Sequence, residues 1–299
     1  MLEIWFIFAL LAPASFASCN IIDKFVLSKA IKNPYIYVIF FTFIEICFAL
    51  LILLFFNVDL VHPYSIIGIL CGVAAFFSYL LYSKAMSIEE ASKVTPLIHI
   101  TPLFVIFFAV LFLNEILIFE KYLGISLVMI GIFLISSEKV GKKWGFSPAL
   151  KFMLLFAMIY GFVDIVEKFL LKYISYLSLI FLISFGSFLS ALSMLFIKNF
   201  RNEFLGTISK IKVKIFLIVV ISEIFYYVGI TSFLIATKIA PVSLTSTITS
   251  IQPLFVLFYT TILSVLAPNV IKEKVNVSIL SKKVVSIVLI LIGIWFIGT

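Results

Sequence analysis

The sequence predicts an all-α membrane protein: ten transmembrane helices arranged as two inverted five-helix repeats. Three observations carry this. The chain of 299 residues is 64% hydrophobic and only 12% charged, which would cover a soluble domain in apolar patches but suits the hydrocarbon of a bilayer. The stretch Pro102-Leu103-Phe104-Val105-Ile106-Phe107 returns as Pro253-Leu254-Phe255-Val256-Leu257-Phe258. A second stretch, Ile21-Ile22-Asp23-Lys24-Phe25-Val26-Leu27, reappears as Ile165-Val166-Glu167-Lys168-Phe169-Leu170-Leu171 with only conservative differences. The offsets, 151 and 144, agree closely enough for one ancestral unit of half the chain.

A helix needs roughly 20 apolar residues to cross a bilayer, and runs of that length fall near residues 4–22, 35–56, 65–86, 94–113 and 121–137 in the first half. The second half supplies 149–171, 177–197, 215–235, 242–266 and 284–298. The first run resembles a signal peptide, and Phe16-Ala17-Ser18-Cys19 resembles a lipoprotein cleavage site. It carries Glu3 and no Lys or Arg, however, and it matches the interior run 149–171, so it belongs to the fold. Turn-forming residues such as Lys32-Asn33-Pro34, His62-Pro63 and Ala267-Pro268-Asn269 separate the runs. The Lys-rich link from Glu138 to Pro148 divides the chain into a first repeat, 1–140, and a second, 141–299. Five helices are an odd number, so the second copy enters the membrane from the opposite side, a plan recurrent in secondary transporters.

The formal charge of +8 does not point to nucleic acid, because the basic residues fall in the short gaps between apolar runs. Assigned to the nearest loop, 18 Lys and Arg lie on one side of the membrane and 4 on the side of the two termini. By the positive-inside rule both termini face outward. Cys19, Cys47 and Cys71 sit inside apolar runs without metal or redox spacing and read as small hydrophobes. No metalloprotease, serine-hydrolase or nucleotide-binding motif is present, and no cofactor or metal is expected.

Ionisable and polar groups inside spans mark pathways or binding sites. Glu45 and Glu223 lie mid-span, and His99 and Gln252 sit beside the repeated prolines. Asn20, Asp23 and Lys24 share a helix face at spacings of three and four, as do their repeat equivalents Asp164, Glu167 and Lys168. These six are candidates for holding a zwitterionic or charged solute; the competing reading puts them at helix ends with the lysines snorkelling to the headgroups. Glu223 is the first candidate for proton coupling and Glu45 the second, since a carboxyl group at that depth can bind and release a proton during a cycle. Each also suits a structural hydrogen-bonding role between helices. Pro102 and Pro253 each interrupt a helix interior and are candidate hinges. Thr95, Thr101, Ser246, Thr249 and Ser250 either line a cavity there or satisfy the freed backbone. Tyr79, Tyr82, Tyr226 and Tyr227 are candidates for stacking on a ligand, Tyr79 and Tyr227 foremost.

The pattern from Ala85 to Gly131, with Glu89-Glu90-Ala91-Ser92, the central Pro102, Asn114-Glu115 closing the fourth helix, and Gly124 and Gly131 in the fifth, resembles the EamA type of drug/metabolite transporter. That resemblance implies export or exchange of small metabolites such as amino acids through a central cavity between the repeats, with lipid around it. In the second half Val265-Leu266-Ala267-Pro268 stands where Glu115 would recur, and the family is usually described with cytoplasmic termini, opposite to the charge count. The expectation is therefore a multi-pass secondary transporter without enzymatic activity that works by alternating access. A flippase for a lipid-linked substrate, or a non-transporting receptor or scaffold, are the alternatives.

Overall fold

The computed structural model describes residues 4–88, 97–136, 149–266 and 277–298, and every regular element among them is an α-helix. In the first half these are α1 (Ile4–Lys29), α2 (Pro34–Phe55), α3 (Tyr64–Ile88), α4 (Thr101–Leu113) and α5 (Phe119–Ser136). The second half holds α6 (Ala149–Leu170), α7 (Tyr176–Leu195), α8 (Lys198–Ile208), α9 (Val213–Ile239), α10 (Val242–Thr249), α11 (Gln252–Leu266) and α12 (Val277–Gly298). Six of them, α1, α2, α3, α6, α7 and α9, are long and apolar enough to cross a membrane. Large side chains such as Leu103, Phe107 and Leu111, spaced by four on α4, are exposed along their outer faces, as lipid contact requires.

Local chemistry sets the helix ends. Asn33 Oδ1 accepts the Tyr35 N–H at 3.0 Å while Pro34 occupies the first turn of α2, where its missing N–H costs nothing. At the end of α4, Asn114 takes the left-handed conformation (φ 52°) and Glu115 N–H returns to the Ala109 carbonyl at 3.1 Å. Asn tolerates this geometry better than most residues, because its short polar side chain can bond locally.

Three sequence expectations need correction. First, α1 does not stop near residue 22 but continues to Lys29, which puts Asn20 and Asp23 inside the helix rather than at a membrane edge. Second, Pro102 and Pro253 do not interrupt helix interiors. Each lies in the first turn of a helix, α4 or α11, and the chain breaks just before it, at the turns His99-Ile100 and Ser250-Ile251. Third, the connection after α7 holds α8, whose polar composition escaped a search for apolar runs. It packs through buried Phe204.

The repeat-related pairs α1 with α9 and α3 with α6 run along one another, and α5 packs on α12. The last pair meets at glycines: a methyl on Gly124 would lie 2.7 Å from Gly293 O, and one on Gly293 2.6 Å from Gly124 O. α3 crosses α7 backbone to backbone at Gly72 and Gly186, where added Cβ atoms would collide with the carbonyls of Ile183 and Ile69. The pair that the sequence repeat relates to this crossing, α2 with α9, is far looser.

Hydrogen bonds tie the connections at each end of the bundle. At the end holding the α1–α2 connection, Asn33 Nδ2 donates to Glu203 Oε1 of α8 at 2.8 Å. At the opposite, α2–α3 end, Asp59 N–H donates to Ser178 Oγ at 2.8 Å, and Ser178 Oγ in turn reaches Asp59 Oδ2 at 3.3 Å. There too Glu115 accepts the N–H of Val242 at 3.1 Å and the Ser243 hydroxyl at 3.0 Å, capping α10. Lys121 Nζ donates to the Ile297 carbonyl at 2.8 Å near the end of α12. Every one of these partnerships matches helices that alternate in direction.

Candidate functional site

A cavity of about 230 Å³ lies at the centre of the bundle, bordered by α1, α2, α3, α6, α7, α9, α10 and the two helix breaks. Its deepest organisation comes from the repeat. On α1 the stripe Phe16, Asn20, Asp23 lines it, and on α6 the equivalent stripe Tyr160, Asp164, Glu167 does the same. Spacings of four and three put three side chains on one helix face, so two copies of one pattern meet across one space. The broken helices repeat the logic: His99 and Thr101 at the start of α4, and their equivalents Ser250 and Gln252 at the start of α11, all face the cavity. The lining runs from Leu27, Pro34 and Ser83 near the α1–α2 end to Asp164, Glu167 and Phe233 towards the other.

The carboxylates are not equally satisfied. Asp23 Oδ1 accepts from the hydroxyl of Tyr37 on α2 and from Ser222 Oγ on α9, the latter at 3.1 Å. Glu45 Oε1 accepts from Ser184 Oγ on α7 at 2.8 Å. Asp164 Oδ2 has one long bond from Ser246 Oγ, at 3.5 Å. Glu167 is 4% exposed and its Oε2 has no hydrogen-bond partner among the described residues. Buried polar atoms in proteins are nearly always paired, so an orphan beside a cavity is a group that awaits one.

Two aromatic walls complete the space. Tyr79 meets Tyr160 edge to face at 5.9 Å and Phe156 at 6.2 Å, while Phe156 stacks on Tyr160 at 5.5 Å. On the other side Phe41 meets Tyr226 at 5.7 Å and Tyr37 at 6.3 Å.

Of the residues singled out in the sequence, Asn20, Asp23, Glu45, Tyr79, His99, Asp164, Glu167 and Gln252 therefore share one cavity. Others do not. Lys168 turns its ammonium to the carbonyls of Thr237 and, at 2.7 Å, Ala240, capping the C-terminus of α9. Tyr227 donates to the Glu45 carbonyl at 2.9 Å and stacks on Phe48; its neighbour Tyr226, 100° round the helix, lines the cavity instead. Glu223 is fully buried beside the cavity without lining it, and neither carboxyl oxygen has a partner among the described residues. Pro102 and Pro253 set the breaks but do not face the space. The helix carrying Lys24 is described but its side chain is not, and Thr95, with the Glu89 to Ser92 motif, lies outside the described residues. Sequence reasoning missed Phe16, Phe156 and Tyr160 in the lining, although Phe16 and Tyr160 sit one turn from Asn20 and Asp164, and Phe156 two turns from Asp164. It also missed the capping role of Glu115, for which Pro241, a helix-start residue, was the available signal.

Residues 3–137 match the model of the EamA-like transporter family. Among curated proteins no sequence matches the chain. A solved structure described as "Crystal structure of protein" has the same fold, with a TM-score of 0.67 and 15% identity over 96% of this chain and 95% of that one. At that identity the likeness concerns the fold alone.

Proposed function

We propose, from the match of residues 3–137 to the EamA-like transporter family, that this chain is a transporter of that kind, a secondary transporter exporting or exchanging a small metabolite by alternating access. Family members are membrane transporters of the drug/metabolite superfamily. The finer reading takes the chain as ten spans in two inverted five-helix repeats, 1–140 and 141–299, with α10 and α11 together forming one broken span and α8 lying at the membrane surface. The observation that carries it is the pair of repeat-related stripes, Phe16-Asn20-Asp23 and Tyr160-Asp164-Glu167, facing one central cavity. A site shared by two inverted halves is the one place whose access both can switch.

In this reading the solute enters from the α1–α2 end, where the lining reaches Leu27 and Ser83. Passage to the other end is closed by the ties of Asp59 and Glu115 between the halves. The glycine-tight α3–α7 crossing and the loose α2–α9 pair are two forms of one contact, and rocking of the halves exchanges them. No nucleotide motif is present in the sequence, so the gradient of the solute or of a coupling proton drives the cycle. Glu223 leads as the proton-coupling group and Glu45 follows.

Uptake of a radiolabelled metabolite panel into proteoliposomes tests this reading. At least one solute should be carried saturably and show counterflow, in which preloaded unlabelled solute accelerates entry. A protein that binds a panel member and never moves any of them across the bilayer is a receptor, and the transporter reading fails.

A further inference from the structure

We propose that the solute is an organic cation: an amine or quaternary ammonium with an apolar or aromatic body, its charge seated between Asp164 and Glu167. The inference rests on the transporter reading and names the substrate class of that same cavity. Asp164 and Glu167 stand three residues apart on one face of α6, both are at least nine-tenths buried, and both line the space. Their partners are the weakest among the lining carboxylates: Asp164 has a single bond at 3.5 Å, against 2.8 Å for the one to Glu45, and Glu167 Oε2 has none among the described residues. Further acids, Asp23 and Glu45, line the same cavity, and no Lys or Arg does so among the described residues. Lys168, the nearest cation in sequence, is turned away to the end of α9. A space with this balance repels anions and leaves the positive charge to be supplied by the ligand.

The walls select the kind of cation. Tyr160 sits one turn from Asp164 on the same helix face, and Tyr79 meets it edge to face at 5.9 Å. Aromatic faces attract ammonium groups, most of all quaternary ones that cannot donate hydrogen bonds, and the attraction grows where water is excluded. Phe156, Phe41 and Tyr226 supply apolar surface for the rest of the molecule. An inorganic divalent ion fits poorly, because no group of three His, Cys, Asp or Glu among the described residues could hold a metal.

The test uses the purified full-length protein and four probes of similar shape: benzyltrimethylammonium, its uncharged carbon isostere neopentylbenzene, the zwitterion phenylalanine and the anion phenylacetate. The cation should bind at least about tenfold more tightly than any of the others, the scale of a charge-assisted contact plus an aromatic face. Glu167→Gln and Asp164→Asn should each weaken it by roughly tenfold or more. Glu167→Asp, which keeps the charge, should retain binding, and melting temperatures confirm that each variant is folded. Phenylalanine or phenylacetate binding as tightly as the cation would overturn the proposal, as would unchanged cation affinity in both neutral variants. Transport in proteoliposomes separates the two readings. If another solute is carried while the cation is neither bound nor moved, the cation class is wrong and the transporter stands; a cation bound but never translocated sinks the transporter and leaves the site.

Discussion

Glu223 shows what one residue can reveal in a bilayer. It is fully buried on α9 with both carboxyl oxygens unpartnered among the described residues, while the adjacent Ser222 hydroxyl is committed to Asp23. Leaving a buried polar group unpaired costs about 1–3 kcal/mol, a cost that persists in a fold when the group has work to do there. Glu223→Gln keeps the shape and removes the titration, so transport should lose its dependence on a pH gradient while the protein keeps its melting temperature. A variant that follows the gradient as the parent does would make Glu223 structural and pass the role to Glu45 or Asp164. Two of the three members of the α6 cluster, Asp164 and Lys168, should separate as cleanly. Asp164→Asn should weaken solute binding by about 1–3 kcal/mol with stability unchanged. Lys168→Ala should do the reverse, lowering the melting temperature through loss of the α9 cap with affinity intact.

At the scale of elements, the sequence was most legible where two periodicities coincided. The 3.6-residue helical period and the half-chain repeat both mark the Asn20 and Asp164 stripes, so their convergence could be read in advance, as could most helix boundaries from turn residues. What failed had physical reasons. Pro102 and Pro253 look alike as helix breakers and helix starters, since either use removes one N–H, and only the partners of the preceding carbonyls decide between them. α8 has too few apolar residues to register as a span, and the choice between Tyr226 and Tyr227 depends on helix rotation, which composition does not encode. Glycine is equally silent about its purpose. Gly72 sits where α3 touches α7, and a methyl there would strike the Ile183 carbonyl; Gly206 in α8 has nothing within 4 Å of that position. The same substitution should therefore have opposite signs. Gly206→Ala should raise stability by up to about 1 kcal/mol through helix propensity alone, whereas Gly72→Ala should lower it, because backbone cannot yield as a flexible side chain does. Melting temperatures of the two variants decide this, and a neutral Gly72→Ala would mean that the crossing is looser than its geometry implies.

At the scale of the whole molecule, the charge bias and the cavity point the same way. Assigned along the sequence to the nearest loop, 18 basic residues fall on the side of the α1–α2 connection and 4 on the other, and of those four, Lys121 and Lys168 are engaged with carbonyls at helix C-termini. Such lysines cap dipoles and carry no topological information, so the bias is stronger than the raw count. The positive-inside rule therefore predicts that the α1–α2 end, and with it the cavity, faces the cytoplasm and that both termini lie outside. The habit of the family is the reverse orientation, which makes the question worth a direct measurement. In a background lacking Cys19, Cys47 and Cys71, Ser83→Cys near the cavity mouth should react with a membrane-impermeant maleimide in inside-out vesicles and not in intact cells, and a reporter fused after Thr299 should be active outside. Labelling confined to intact cells would restore the family orientation. The opposite end is held by Glu115 on the first turn of α10 and by Asp59 on α7. Because about 1.4 kcal/mol shifts a two-state equilibrium tenfold, removing one carboxylate that serves several donors should be enough to populate the other state. Glu115→Ala should therefore make Ser246→Cys, deep in the cavity, reactive from outside while lowering the labelling of Ser83→Cys from within. Reciprocity is the decisive sign, since a variant that merely loosens the fold would raise reactivity at both ends.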